Sequence, residues 1–316
     1  MKLVFLDAST LDRQDLDLSP LGTFGPLTLH ATTSPDQVSD RIAAADVVIT
    51  NKVPITDASL AANPSVRLIV SAATGVNQID LVACKARGVT VCNVAGYSTH
   101  SVAQHTFALL LNLVTSVDRY AAASGEWPRF PIFTSLAHPV TELAGKTLGI
   151  VGLGTIGRAV AKIASAFGMK VVAFSREQTS SESDIPRLSA EDFFRTCDVV
   201  SLHCPLTPQT QHFINRETLG LMKPSSILLN TGRGPLIDEA ALADALRSRK
   251  IGGAGLDVLS VEPPPADHVL LANDLPNLLI TPHTAWSSHE ARQRLLDGIL
   301  ANIHGFLDGE PVNRIV

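Results

Sequence analysis

The chain has 316 residues, 45% of them apolar and 17% charged, with a formal net charge of −5. That length is comfortable for two domains, and the balance excludes a disordered or fibrous chain in favour of a well-buried α/β globule. No basic run advertises nucleic acid or an anionic membrane, and no apolar stretch approaches a membrane span.

The start, Met1-Lys-Leu-Val-Phe-Leu-Asp7, is too short and too soon acidic for a signal peptide. Lys2–Leu6 reads as a short apolar strand, with Asp46–Thr50 and Arg67–Ser71 as two more. Helical stretches at Pro35–Ala45, Thr56–Ala62 and Asn77–Arg87 alternate with them, and Val89–Val91 adds a further strand. Near-continuous apolar strands alternating with helices predict a parallel sheet covered on both faces. This first unit has no Gly-x-Gly-x-x-Gly turn, so it is expected to bind something other than a dinucleotide. Thr99–Ala122 reads as one long helix, apolar along Val102, Phe107, Leu110, Leu111 and Val114, that carries the chain to a second unit. The loop Gly125–Pro139, with Trp127, Phe130 and Phe133, reads as packed surface.

The second unit is organised around Lys146–Gly157. An apolar strand (Leu148, Ile150, Val151) flows into Gly152-Leu-Gly154-Thr155-Ile156-Gly157. An apolar-periodic helix (Ile156, Val160, Ile163, Ala164, Phe167) and a second strand, Lys170–Phe174, follow at once. Each glycine has a mechanical job in a dinucleotide-binding turn: Gly152 for the turn, Gly154 for close approach of a pyrophosphate, Gly157 for helix–strand packing. The helix N-terminus, at Thr155 and Ile156, offers free N–H groups to the phosphates. Further strands are expected near 198–202, 226–230, 252–257 and 278–280, and a final helix, Ser287–Leu307, is expected to return to the first unit. The predicted domains are therefore 1–98 plus 287–316 for substrate and 99–286 for dinucleotide. The cysteines (Cys84, Cys92, Cys197, Cys204) lack Cys-x-x-Cys spacing and read as small buried hydrophobes in a reducing cytoplasm. No metal site is expected.

Beyond the glycine turn come His203-Cys204-Pro205-Leu-Thr-Pro208, Asn230-Thr231-Gly-Arg233-Gly234 and Gly255-Leu-Asp257-Val258, then Glu262-Pro263 and Thr281-Pro-His283-Thr-Ala-Trp286. In this order, over nearly the whole chain, these motifs resemble the NAD(P)-dependent D-2-hydroxyacid dehydrogenases. Gly96-Tyr-Ser98 and His283–Trp286 look most like the glycerate dehydrogenase, or hydroxypyruvate reductase, branch. The resemblance implies an α/β fold of two doubly wound parallel-sheet domains, a flavodoxin-like substrate domain and a Rossmann dinucleotide-binding domain. It implies reduction of a short 2-keto acid, hydroxypyruvate or glyoxylate, by a homodimer, with Thr99–Ala122 as a candidate interface.

Reducing a 2-keto acid requires a partner for the carboxylate, polarisation of the ketone oxygen, and a proton as the alkoxide forms. Arg233, just after the strand Ser226–Asn230, fits the first two tasks, because a planar guanidinium can hold carboxylate and carbonyl oxygens in one fork. The alternative for it is a surface arginine in a glycine-flanked turn. His283 is the expected acid–base, raised above the other histidines by Glu262, which in the family hydrogen-bonds the second ring nitrogen. Related formate dehydrogenases, which need no proton relay, carry an amide there, so Glu262 argues for keto-acid reduction. The resemblance gives Asp257 a hydrogen bond from the nicotinamide carboxamide and sets Cys204, Pro205 and Thr231 against the cofactor. In the first domain it uses the backbone of Gly75 and Val76 for the substrate carboxylate, from a loop expected to end at a helix N-terminus. Lys52 is a further substrate contact, with a solvated lysine an equal alternative. One departure is Gln104, where the family often has Glu.

The strand Lys170–Phe174 ends in Ser175-Arg176, where an NAD enzyme would place Asp or Glu against the ribose hydroxyls. Ser175 removes repulsion of a 2′-phosphate and Arg176 offers it a charge-assisted contact, so NADP is expected to be preferred over NAD. Glu177 works against this if the strand end shifts. Two other readings stay open. One is a phosphoglycerate dehydrogenase, against which the short stretch after Leu307 and the lack of a basic cluster argue. The other is a non-enzymatic nucleotide-sensing corepressor on the same fold.

Overall fold

The computed structural model describes residues 1–175 and 185–316 and divides into two compact units, Met1–Ser98 with Ser287–Val316, and Thr99–Trp286. The first unit contains β1 (Leu3–Phe5), β2 (Leu27–Leu29), α1 (Val38–Arg41), β3 (Val47–Thr50), α2 (Asp57–Ala62), β4 (Leu68–Ser71), α3 (Leu81–Ala86) and β5 (Thr90–Cys92). The strands pair in parallel in the order β2-β1-β3-β4-β5. That is the flavodoxin-like order of a doubly wound sheet. Val47–Thr50 and Leu68–Ser71 are buried throughout, as a sheet covered on both faces requires.

Three local expectations need correction here. The strand β2 was not foreseen, because Leu27-Thr-Leu29 is short and half-exposed at the sheet edge. The helix expected over Pro35–Ala45 shrinks to a 3-10 turn and the four residues of α1, ending before Ala44, whose φ of +59° is left-handed. The helix expected from Asn77 begins at Leu81, where Asp80 caps it by accepting from the Ala83 N–H. Gly75 and Val76 therefore do not stand at a helix N-terminus.

The second unit opens with α4 (Thr99–Thr115) and α5 (Val117–Ala122), not one continuous helix. Ser116 between them is left-handed, at φ +53°. Side chains compete with the ladder at this point: Thr115 Oγ1 donates to the Leu111 carbonyl, and Asn112 Oδ1 accepts the Asp118 N–H. There follow β6 (Thr147–Val151), α6 (Thr155–Ala166), β7 (Lys170–Phe174), β8 (Arg187–Leu188), α7 (Ala190–Thr196), β9 (Val199–Leu202) and α8 (Arg216–Leu221). The unit closes with β10 (Ile227–Asn230), α9 (Glu239–Arg247), β11 (Gly253–Leu256) and β12 (Leu278–Ile280). The final helix α10 (His289–Leu307), capped by Ser288, belongs to the first unit and packs on β4.

The second sheet is parallel with seven strands, β12-β11-β10-β9-β6-β7-β8. All six strands expected here are present. The seventh, β8, is two residues long and too short to show a period. The winding reverses between β6 and β9, which is the switch point where doubly wound sheets bind ligands beyond the carboxyl ends of their strands. Helix α4 crosses this sheet closely because β11 runs Gly253-Ala-Gly255: a methyl on Gly255 would stand 3.0 Å from the Leu109 Cβ. The loop 125–139 is not packed surface. Phe133 is 88% and Leu136 85% exposed, and the loop's rings surround a cavity of about 1000 Å³ with Tyr120 and His138. A 3-10 turn spans Ser124–Arg129, and from Phe130 to Pro139 the backbone forms no helix or strand that would bury these side chains.

Candidate functional site

The glycine turn follows β6 at the switch point. Gly152 has φ +101°, and a methyl there would lie 2.6 Å from the Cys204 N, so only glycine lets this turn nest against the loop after β9. His203 at that loop donates its N–H to the Val151 carbonyl at 2.8 Å, bringing Cys204 and Pro205 beside the turn. The His203 ring, bonded to Ser201 Oγ at 2.8 Å, is held uncharged by burial, its pKa pushed down to about 4. Gly157 passes so close to the Gly152 carbonyl that a methyl would be 2.1 Å from its oxygen. A methyl on Gly154 would meet nothing within 4 Å. Gly154 is also the N-cap of α6 and has no side chain to cap with, so the first-turn N–H groups at Thr155 and Ile156 stay available. An exposed, uncapped helix start behind a side-chain-free approach fits a dinucleotide pyrophosphate. Ser175 closes β7 and donates its N–H to the Leu188 carbonyl. Arg176, with Glu177, lies outside the described residues.

On the other side of β9, three neighbouring strands each end in one of the expected catalytic side chains: Arg233 after β10, Glu262 after β11 and His283 after β12. The Arg233 loop is braced by Asn230, whose amide oxygen accepts the Gly232 N–H at 3.0 Å and whose amide nitrogen donates to the Arg233 carbonyl at 2.9 Å. Arg233 Nη1 donates to the Gly232 carbonyl at 2.8 Å, and its other N–H groups have no partner among the described residues. Gly234 lies against the backbone of Leu259 and Ser260, where a methyl would come within 2.0 Å of the Leu259 carbonyl carbon. The Arg233 loop and the Glu262 loop are thereby in backbone contact.

Glu262 uses its two oxygens separately. Oε1 accepts the Leu259 N–H at 3.0 Å, and Oε2 lies 2.7 Å from His283 Nδ1. With that carboxylate facing Nδ1, the imidazole carries a proton there, and its Nε2 has no partner among the described residues. Asp257 is 1% exposed and turned toward the His283 loop: Oδ1 accepts from the Thr281 hydroxyl at 2.6 Å and the Thr284 N–H at 2.9 Å, and Oδ2 accepts from the Ala285 N–H at 2.8 Å. Thr231 Oγ1 is 3.1 Å from Thr106 Oγ1 of α4.

In the first unit, Lys52 is exposed, and its N–H donates to Asp7 at 2.7 Å. Asp7 also accepts the Asn51 N–H; its burial raises the carboxyl pKa, against the lowering effect of these N–H groups. Gly75 and Val76 lie in the loop after β4, held by Ser71 Oγ, which donates to the Gly75 carbonyl at 2.7 Å, and by Asn93, which donates to the Thr74 carbonyl at 2.7 Å. The Gly75 and Val76 N–H groups have no partner among the described residues. Sequence reasoning passed over Asn230, Thr281, Asp7 and Ser71, whose polar groups serve loops rather than periodic faces. Asn230 and Ser71 carried a signal, as the buried polar ends of apolar strands.

A glycine turn at the switch point, flanked by strand ends bearing an arginine and a carboxylate–imidazole pair, defines a nucleotide-dependent dehydrogenase. The family model for "D-isomer specific 2-hydroxyacid dehydrogenase, NAD binding domain" matches residues 107–285. A glycerate dehydrogenase of Methylorubrum extorquens is 40% identical over 99% of this chain and 98% of that protein. A hydroxypyruvate reductase of Blautia hydrogenotrophica is 39% identical over 99% of both. Among solved structures, an acyclic imino acid reductase in complex with NADPH and D-Arg superposes with a TM-score of 0.87 at 28% identity, over the full length of each chain. The chain belongs to the D-isomer specific 2-hydroxyacid dehydrogenases and is an NAD(P)-dependent enzyme of that family. Among the described residues no helix is long and apolar enough to cross a membrane.

Proposed function

We propose that this dehydrogenase reduces hydroxypyruvate to D-glycerate or glyoxylate to glycolate, with NADPH preferred over NADH. The observation that carries the reading is the 2.7 Å contact between His283 Nδ1 and Glu262, which leaves Nε2 as the one ring atom able to deliver a proton outward. Arg233 holds the substrate carboxylate and polarises the ketone with the N–H groups its own loop does not use. The Gly75 and Val76 amides and Lys52 supply further anion contacts, and Thr155, Ile156, Cys204, Pro205 and Thr231 line the nucleotide. The bound nucleotide supplies the hydride. Near-full-length similarity to a glycerate dehydrogenase and a hydroxypyruvate reductase supports the substrate class. The protein is further proposed to be a cytoplasmic homodimer; its four cysteines form no disulfide, and burial raises the Cys84 and Cys92 thiols to about 11.

The test is a panel of short 2-keto acids assayed with NADH and NADPH. Hydroxypyruvate or glyoxylate should give the highest kcat/KM, and NADPH should outperform NADH. Ser175→Asp with Arg176→Ala should reverse the nucleotide order, since a carboxylate there binds ribose hydroxyls and repels a 2′-phosphate. Negligible turnover of every keto acid would instead favour a nucleotide-sensing protein, and a better kcat/KM with NADH would refute the nucleotide choice alone.

A further inference from the structure

Helix α4 presents three polar side chains to the ends of the strands. Ser101 Oγ donates to the Ala285 carbonyl at 2.6 Å, His105 Nε2 lies 2.8 Å from Thr281 Oγ1, and Thr106 Oγ1 lies 3.1 Å from Thr231 Oγ1. Ser101 and His105 stand four residues apart on one helical face. They grip the chain on either side of His283, while Thr106 grips the approach to Arg233. The glycines of β11 permit this closeness, since Leu109 and Leu113 of α4 fill the space their side chains would take.

The protons of this network can be assigned by counting donors. Thr281 has a single O–H, and the Asp257 oxygen 2.6 Å away takes it. His105 must then donate its Nε2–H to a lone pair of Thr281, and the same nitrogen is 3.5 Å from Asp257 Oδ1. Asp257 in turn gathers three successive amides: its carbonyl accepts from His283 at 2.8 Å, and its carboxylate accepts from Thr284 and Ala285. His283 sits at φ +53°, a left-handed conformation that a Cβ disfavours. Such a conformation persists only where its surroundings over-determine it.

We propose that His105 is a positioning residue. Through Thr281 it orients the buried Asp257, and Asp257 holds the left-handed turn that presents His283 to Glu262. The proposal rests on the reading of His283 as proton donor, and it gives Asp257 a duty separate from the nicotinamide contact the resemblance implies.

The experiment compares His105→Ala, His105→Gln, Thr281→Val and Thr281→Ser in the full-length enzyme, with His283→Ala alongside. It measures kcat and KM for the keto acid turned over fastest, and nucleotide Kd by fluorescence titration. His105→Ala and Thr281→Val should lower kcat by about 10- to 100-fold, the scale of a misplaced catalytic group. Nucleotide Kd should move less than about 3-fold, since the loss lies in the chemical step. His105→Gln keeps an N–H donor near the position of Nε2 and Thr281→Ser keeps the hydroxyl, so both should recover most of the turnover. Combining His105→Ala with Thr281→Val should be no slower than Thr281→Val alone, because both break one chain. Near-normal kcat in His105→Ala and Thr281→Val, with His283→Ala inactive, overturns the positioning role and leaves the His283 reading standing. An active His283→Ala removes that reading, and this proposal with it. Failure of the Gln and Ser variants to recover turnover also overturns it, since a general loosening of the loop would not distinguish the donor.

Discussion

At the scale of single residues, the proposed chemistry depends on side chains whose hydrogen bonds are only partly used by the protein. Arg233 bonds its own loop through Nη1 and keeps the rest of the fork for a ligand. Glu262 bonds Leu259 through one oxygen and His283 through the other, so it orients the ring without closing its outer nitrogen. Arg233 and the His283 ring are therefore braced and still available, the condition for acting without reorganisation. His283→Ala should lower kcat by about 10²- to 10⁴-fold, the usual worth of a positioned acid–base, with nucleotide Kd nearly intact. Arg233→Lys should not rescue function, because an ammonium cannot span carboxylate and carbonyl together; about a 10²-fold loss in kcat/KM is expected. Steady-state kinetics with a nucleotide titration reads both. A lysine variant with normal kinetics would show that charge alone suffices.

Between elements, glycines determine how closely loops approach, and two of them separate stability from binding. Gly234 has the Leu259 carbonyl carbon where its methyl would go, at 2.0 Å, whereas Gly154 has nothing within 4 Å. Gly234→Ala must push the Arg233 loop off the Glu262 loop, so it should cost more than about 2 kcal/mol of stability and lower kcat together. Gly154→Ala should leave Tm nearly unchanged but weaken nucleotide binding, because its methyl would project where the phosphates approach. Calorimetry and nucleotide titration on the two variants check the contrast; a large Tm loss in Gly154→Ala would contradict it. The same features mark what the sequence could convey. The strand–turn–helix around Gly152–Gly157 was legible because glycine spacing and apolar period coincide there. The strand ends bearing Arg233 and His283 were legible because wholly apolar runs, Ile227–Leu229 and Leu278–Ile280, stop just before them and glycine or proline follows. The break at Ser116 was not, since the apolar side of α4 runs up to it without a proline or glycine to announce the stop. Nor were β2 and β8, which are too short to show a period. His105 and Asp257 looked like a lone histidine and a cofactor ligand because their shared partner, Thr281, is 176 residues from the one and 24 from the other. Separations of that kind leave no local pattern.

For the whole molecule, the unresolved balance is between apolar residues and the places available to bury them. The two sheets bury theirs, but the segment after α5 does not: Trp127 is 60%, Phe133 88%, Leu136 85% and Val140 61% exposed, close together in sequence and around one cavity. Single exposed apolar residues need no explanation, whereas a contiguous group of this kind marks an interaction surface. Burying one Leu or Phe side chain is worth about 1.5–3 kcal/mol, so this group supplies a useful part of what a stable dimer requires. A second copy of the chain is the occupant that the proposed homodimer provides, and a self-complementary patch on a two-fold axis would bury the segment twice in one interface. Sedimentation should then give twice the chain mass at micromolar concentration. Phe133→Glu combined with Leu136→Glu should shift it to the chain mass, because two carboxylates per protomer would have to be desolvated to keep the contact. Since neither residue takes part in the strand-end loops, the separated protomer should still bind nucleotide. A double variant that remains dimeric would place the interface elsewhere, with the long helix α4 the next surface to alter.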